Sequence, residues 1–129
     1  MKISYYANMR KLPQDSNFVS IAGRAPEWYK GREYKILAPK LWIFKKYKEE
    51  KNVKQYIALY YKEVLLNLDP MKVLEDLGND AILLCYESPE RFCHRRIVAW
   101  WLNKTLNLGV QEIGEQYVRT LAETTKMHY

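Results

Sequence analysis

Five residues within one short stretch carry side chains able to do chemistry: Cys85, Glu87, Cys93, His94 and Arg95. A thiolate is a nucleophile and a metal ligand, an imidazole moves protons near neutral pH, and a guanidinium holds phosphate or carboxylate through a bidentate fork. Cys93-His94-Arg95 opens a helical pattern, and a helix N-terminus adds unpaired N–H groups and a partial positive charge that favour anions and thiolates. Cys93 is therefore the candidate nucleophile, with His94 as acid or base and Glu87 as the group that orients His94. Arg95 is a candidate anion contact.

The flanking elements must bring these side chains together. Ala81 to Tyr86 is a nearly continuous apolar run, the mark of a strand covered on both faces, which predicts an interior, parallel position in a sheet. Along it Cys85 and Glu87 alternate onto one face and Tyr86 onto the other. Ser88-Pro89 breaks the run. At 100° per residue His94 falls within the stripe of Ile97, Val98, Trp101 and Leu102, with Arg95 beside it, whereas Arg96 and Trp100 project the opposite way. This helix reaches about Leu106, with Gly109 ending it.

Upstream, Ile3 to Ala7 and Phe18 to Ala22 read as strands joined by a polar link that holds Arg10. Arg24 follows the second strand. Ligands in open α/β sheets lie at strand exits, so Arg10, Arg24 and Tyr86 join Arg95 as candidate substrate or anion contacts. Glu27 to Gly31 reads as one helical turn. Lys40 to Lys51 reads as a short helix with Leu41, Phe44 and Tyr47 on its apolar side and a basic exposed face. From Val53 to Leu68, apolar residues recur at helical spacing, and Asp69-Pro70 starts a further helix that Gly78 ends. Val110 to Ile113 is an edge strand, and Glu115 to Met127 a last helix. These elements predict one domain, residues 1–129: a three-layer α/β/α unit on a small, mostly parallel sheet.

Several chemistries are open to this cluster. Cys85 can be a buried apolar residue, His94 a satisfied core histidine and Arg95 a partner for Glu87. Cys93 can be a catalytic thiol, or Cys85 and Cys93, eight positions apart, a redox pair. Zinc on Cys85, Cys93, His94 and His128 is a weaker alternative, because paired ligand spacing of the usual kind is missing, and no metal is assigned. Non-catalytic anion binding completes the set. The chain has no Gly-rich phosphate loop or dinucleotide fingerprint, so no cofactor is indicated.

The motif Leu84-Cys85-Tyr86-Glu87, followed by Cys93-His94-Arg95 with Ala99 and Leu102, resembles the signature of domain-of-unknown-function family 488. Ala7-Asn8-Met9-Arg10 and Val19-Ser20-Ile21-Ala22 extend the resemblance toward the N-terminus. It implies a small α/β domain with a polar site at these positions, and it implies no reaction, substrate or cofactor. Tyr86 departs from the small residue frequent at that place.

Composition bounds the partners. The 129 residues carry a net charge of +6. Residues 1–54 hold 13 Lys and Arg against 5 Asp and Glu, and residues 55–129 hold 8 against 10, so the positive field belongs to the N-terminal half. Such a field attracts phosphate-bearing small molecules or nucleic acid, and Trp28, Trp42 and Tyr47 stand among its lysines. The sequence contains neither a membrane-span signal nor a signal-peptide pattern, and two cysteines fit reduced thiols, so the expectation is a cytoplasmic protein with no membrane partner. Two functions are compatible with these features. One is a thiol-dependent enzyme acting on a phosphate-bearing or nucleic-acid-related substrate. The other is a non-catalytic nucleic-acid-binding or protein-interaction domain, with outward-facing Trp100 as its docking residue.

Overall fold

In a computed structural model that describes residues 1–87 and 92–113, five parallel strands form one sheet in the order β3-β2-β4-β1-β5. The strands are β1 (Lys2–Tyr5), β2 (Asn17–Ser20), β3 (Arg32–Glu33), β4 (Ala81–Cys85) and β5 (Gln111–Glu112). The fold is the α/β class expected, and β4 takes the central place that its apolar run predicts. Every β4 residue is buried, and it pairs with β1 on one side (Tyr5 opposite Cys85) and β2 on the other (Ser20 opposite Leu84).

Alternation along the strands divides the core in two. Ile3, Val19, Ala81 and Leu83 join the buried residues of four helices: α1 (Leu41–Glu50), α2 (Val53–Glu63), α3 (Pro70–Leu77) and α4 (His94–Leu106). On the opposite face Phe18, Ile82 and Leu84 pack under Tyr6, Ala22 and Tyr29, covered by the 3-10 segment Tyr6–Lys11 and the turn around Trp28. The Ser88-Pro89 break, the helix expected over 115–127 and His128 lie outside the described residues. No helix among the described residues is long and apolar enough to cross a membrane.

Local chemistry explains the helix ends. Asn52 Oδ1 accepts from Gln55 N and caps α2, and Asp69 Oδ1 accepts from Met71 N at 3.0 Å to cap α3, with Pro70 at its first position. Gly78 closes α3 at φ +94°, a backbone conformation that a side chain would strain. The stop of α4 is Asn107, in the left-handed region at φ 56°, two residues before the expected Gly109. The tyrosine-rich stripe of α2 is core: Tyr56 and Tyr60 are buried, and the Tyr60 hydroxyl donates to the Leu37 carbonyl.

Three side-chain expectations are corrected. On α1 the buried residue is Ile43, while Leu41, Phe44 and Trp42 are exposed; a single aliphatic anchor aided by Tyr47 sets the rotation of this lysine-rich helix. Trp100 is not a free outward ring, because it packs edge-on to Tyr61 at 5.9 Å and lies beneath Lys104 Nζ at 5.7 Å. Arg96 is buried, drawn inward by a carboxylate on β5.

That carboxylate is placed by the edge of the sheet. Asn103 on α4 brackets Val110, its Oδ1 accepting from the Val110 N–H at 2.6 Å and its Nδ2 donating to the Val110 carbonyl at 3.2 Å. Beyond β5, Ile113 N–H donates to the Ile3 carbonyl at 2.8 Å, and Ser4 Oγ donates to the Ile113 carbonyl at 2.6 Å. Strand β5 is thereby pinned beside β1 with Glu112 turned under α4.

Candidate functional site

The carboxyl ends of β1, β2 and β4 meet the N-terminus of α4 on the helical face of the sheet. Cys85 is the last residue of β4, and Cys93 is the N-cap of α4 in extended conformation (φ −146°, ψ 153°), making no side-chain capping bond. The two cysteines are joined by a disulfide, with their Cα atoms 7.2 Å apart. Cys85 is buried, and Cys93 is half-buried as a residue. The positive end of α4 lies against Cys93.

His94 is buried, with one ring nitrogen bonded to the backbone and the other facing the Cys93 sulfur. Nε2 lies 2.8 Å from the carbonyl oxygen of Ile21, the residue following β2. A carbonyl only accepts, so Nε2 carries the proton and Nδ1 presents its lone pair. Nδ1 lies 3.7 Å from Cys93 Sγ. Burial, followed by the nearby Arg95 charge, pushes the imidazole down to about 4 against the opposing pull of the Ile21 bond. His94 is thus neutral across the physiological range: a good lone-pair donor and a poor proton store.

Arg95 is among the most deeply buried side chains of the chain, at 0% exposure. Its Nη1 donates to Cys85 Sγ at 3.2 Å, its Nη2 pairs with Glu112 Oε2 at 3.2 Å, and its guanidinium lies 5.9 Å from the Tyr5 ring centre. Arg96 adds a second bond to the same carboxylate, Nε to Oε1 at 3.2 Å. Glu112 is 3% exposed and Arg96 4%, so one carboxylate lies between two buried cations. Arg95 therefore faces the Cys85 sulfur and the Glu112 carboxylate, and Glu112 is the anion it meets.

The remaining predicted residues lie around this centre rather than in it. Glu87 is half-exposed and forms no bond with His94, whose orientation comes from the Ile21 carbonyl. Tyr86 turns to the opposite sheet face, 53% exposed, with its hydroxyl donating to the Arg24 carbonyl at 2.6 Å. Arg24 itself is exposed at the exit of β2, and Arg10 is exposed on the 3-10 segment after β1. The Tyr6 ring is flanked by Tyr86 at 4.8 Å, Tyr29 at 5.7 Å and Trp28 at 6.2 Å, giving an aromatic surface at the strand exits whose outermost ring, Trp28, is 59% exposed.

Two participants escape the sequence reading. The Ile21 carbonyl has no side-chain signal at all. Glu112 has a faint one, an acid in a short strand immediately after the buried Val110, but its partner could be named only once β5 was known to lie beside β1.

Together the parallel sheet and this cluster define a small α/β protein with a cysteine–histidine–arginine centre where the central strand meets a helix N-terminus. A family model described as the active DUF488-N3 subclade, DUF488-N3a, matches residues 7–106, and the chain belongs to that family. No curated protein and no solved structure matches it.

Proposed function

We propose that the chain is a thiol-dependent enzyme whose chemistry runs through Cys93, with Cys85 as the thiol that closes or opens the disulfide. The observation that carries this reading is the disulfide between a cysteine at a helix N-terminus and a buried cysteine whose sulfur receives a guanidinium hydrogen bond. An incoming thiolate attacks Cys93 Sγ, the Cys85–Cys93 bond breaks, and Cys85 leaves as a thiolate facing Arg95 Nη1. A second thiolate of the same dithiol reductant then attacks the mixed disulfide and releases Cys93. The dithiol loses two electrons to become a disulfide, and the enzyme gains them as two thiols. Reversal of these steps oxidises a substrate dithiol.

His94 holds the Cys93 thiol by accepting its proton's hydrogen bond at Nδ1, and Arg95 favours the thiolate of Cys85. Arg10, Arg24 and the exposed Tyr86 lie at the strand exits, where an anionic, phosphate-bearing or nucleic-acid-related substrate would meet the positive field of the N-terminal half. The description of the family subclade as active agrees with a catalytic reading.

A trapping experiment tests it. Cys85→Ser, treated with glutathione disulfide, should accumulate a mixed disulfide on Cys93, whereas the wild-type protein should pass through it and end as the Cys85–Cys93 disulfide. Equal accumulation of adduct in both proteins would remove Cys85 from the mechanism. A second reading, non-catalytic nucleic-acid binding, draws on the exposed Trp42 and Phe44 on the lysine-rich α1. Fluorescence anisotropy with a single-stranded oligonucleotide at low salt would support it by salt-dependent binding, and no binding would remove it.

A further inference from the structure

The sulfurs of Cys85 and Cys93 and a ring nitrogen of His94 all lie within 4.8 Å of one another. We infer that the reduced site binds one thiophilic divalent cation of the zinc type through Cys85 Sγ, Cys93 Sγ and His94 Nδ1, leaving the fourth position to a non-protein ligand. The inference goes beyond the thiol chemistry proposed above and requires only that the disulfide be reduced.

Three features carry it. Zinc bonds of about 2.3 Å to sulfur and about 2.0 Å to nitrogen set tetrahedral ligand separations of roughly 3.5–3.8 Å. The Cys93 Sγ to His94 Nδ1 distance is already 3.7 Å. Chain neighbours seldom face one centre, yet here the extended N-cap backbone of Cys93 followed by the first helical residue brings Sγ and Nδ1 to the same side.

The second feature is the outer bond of His94. A metal-bound imidazole almost always donates its other N–H to a carbonyl, carboxylate or water, which fixes the tautomer and the ring. His94 Nε2 makes that bond to the Ile21 carbonyl at 2.8 Å, and the ring is buried and further held edge-on to Tyr60 at 5.6 Å. The third feature is charge: two thiolates neutralise a divalent cation, and Arg95 Nη1 supplies the hydrogen bond that a metal-bound Cys85 thiolate accepts. Three protein ligands with an open fourth position are the arrangement of catalytic rather than structural zinc.

Disulfide and metal exclude one another, because tetrahedral ligation needs the two sulfurs well apart. A dithiol reductant gives two electrons and two protons to the disulfide and yields two thiols; the cation then displaces both thiol protons to solvent. Metal retention is thereby tied to the redox state of the same pair.

Cobalt(II) is the probe. Added to anaerobically reduced protein, one equivalent should produce a thiolate-to-cobalt charge-transfer band and the intense d–d bands of tetrahedral cobalt, and one equivalent of Zn2+ should abolish both. The oxidised protein should show neither. Cys93→Ser and Cys85→Ser should each weaken the charge-transfer band, and His94→Gln should weaken Zn2+ affinity by tenfold or more, with circular dichroism reporting that each variant is folded. Reduced, folded wild-type protein that takes up no stoichiometric cobalt overturns the inference, as does a spectrum unchanged in all three variants. The alkylation rate of Cys93 separates the two proposals. Fast alkylation without metal uptake leaves the thiol reading standing and removes the metal site, whereas metal uptake with a sluggish metal-free thiol does the reverse.

Discussion

Glu112 is the residue whose replacement tests the construction of the site most severely. Its carboxylate bonds Arg95 and Arg96 at 3.2 Å each, and all three side chains are at most 4% exposed. Removing one partner of a buried ion pair costs about 3–5 kcal/mol, because the charge left behind is desolvated. In Glu112→Gln the amide oxygen still accepts one guanidinium bond, so the expected loss is nearer the lower bound, about 3 kcal/mol. For a chain of this size that corresponds to a fall in Tm of roughly 10 °C and to a urea midpoint lower by about 1–2 M at unchanged slope. Lys72→Ala, which breaks an exposed pair with Asp76 on α3, is the control and should leave the midpoint where it was. The assay is equilibrium urea unfolding of the oxidised protein followed by far-UV circular dichroism. A loss below about 1 kcal/mol for Glu112→Gln would refute the claim that this carboxylate compensates the two cations.

Stability should also depend on pH through His94. Its pKa falls from 6.5 in the unfolded chain to about 4 in the fold, so between these values the unfolded state binds the extra proton. The contribution is fully present above pH 6.5 and is lost as pH falls toward 4, on the order of 3 kcal/mol in all; comparing urea midpoints at pH 7 and pH 5 for wild type and His94→Gln checks it, the variant showing the shallower slope. Gly78→Ala should cost about 1–3 kcal/mol, because φ is +94° and the new Cβ would stand 3.2 Å from Asp80 Oδ1 and 3.3 Å from Asn17 Nδ2; thermal unfolding reads it. Asp69→Ala removes the cap on Met71 N–H and should cost about 1 kcal/mol in the same assay, and no change would show that Pro70 alone fixes the start of α3.

Much of the frame was legible because it rests on local rules. A short continuous apolar run bounded by turn residues marks a strand covered on both faces, which puts β4 at the sheet centre, and helical projection turns His94 and Arg95 inward as found. The Asp69-Pro70 cap and the α2 stripe are likewise written in spacing alone. What spacing does not contain is tertiary pairing. Arg96 projects outward on a wheel, but a long guanidinium stem can bend to a carboxylate, and Glu112 became available only because Asn103, Ser4 and Ile3 fasten β5 beside β1. For the same reason Glu87, two residues beyond Cys85 and on the same strand face by alternation, reads as the group that orients His94, whereas the bond to the ring comes from the Ile21 backbone. On α1 the apolar residues outnumber the available core, so Ile43 went in while Leu41 and Phe44 stayed out.

The central claim is that Cys93 is an activated thiol paired with Cys85. Competitive alkylation of the reduced, metal-free protein at pH 6, read at each cysteine by peptide mass spectrometry, tests it most directly. A helix N-terminus stabilises a thiolate and so enlarges the reactive fraction below neutral pH, a gain that exceeds the accompanying loss of intrinsic nucleophilicity. Cys93 should react several times faster than a model thiol and well ahead of buried Cys85. Reaction of Cys93 at or below the model rate would contradict it.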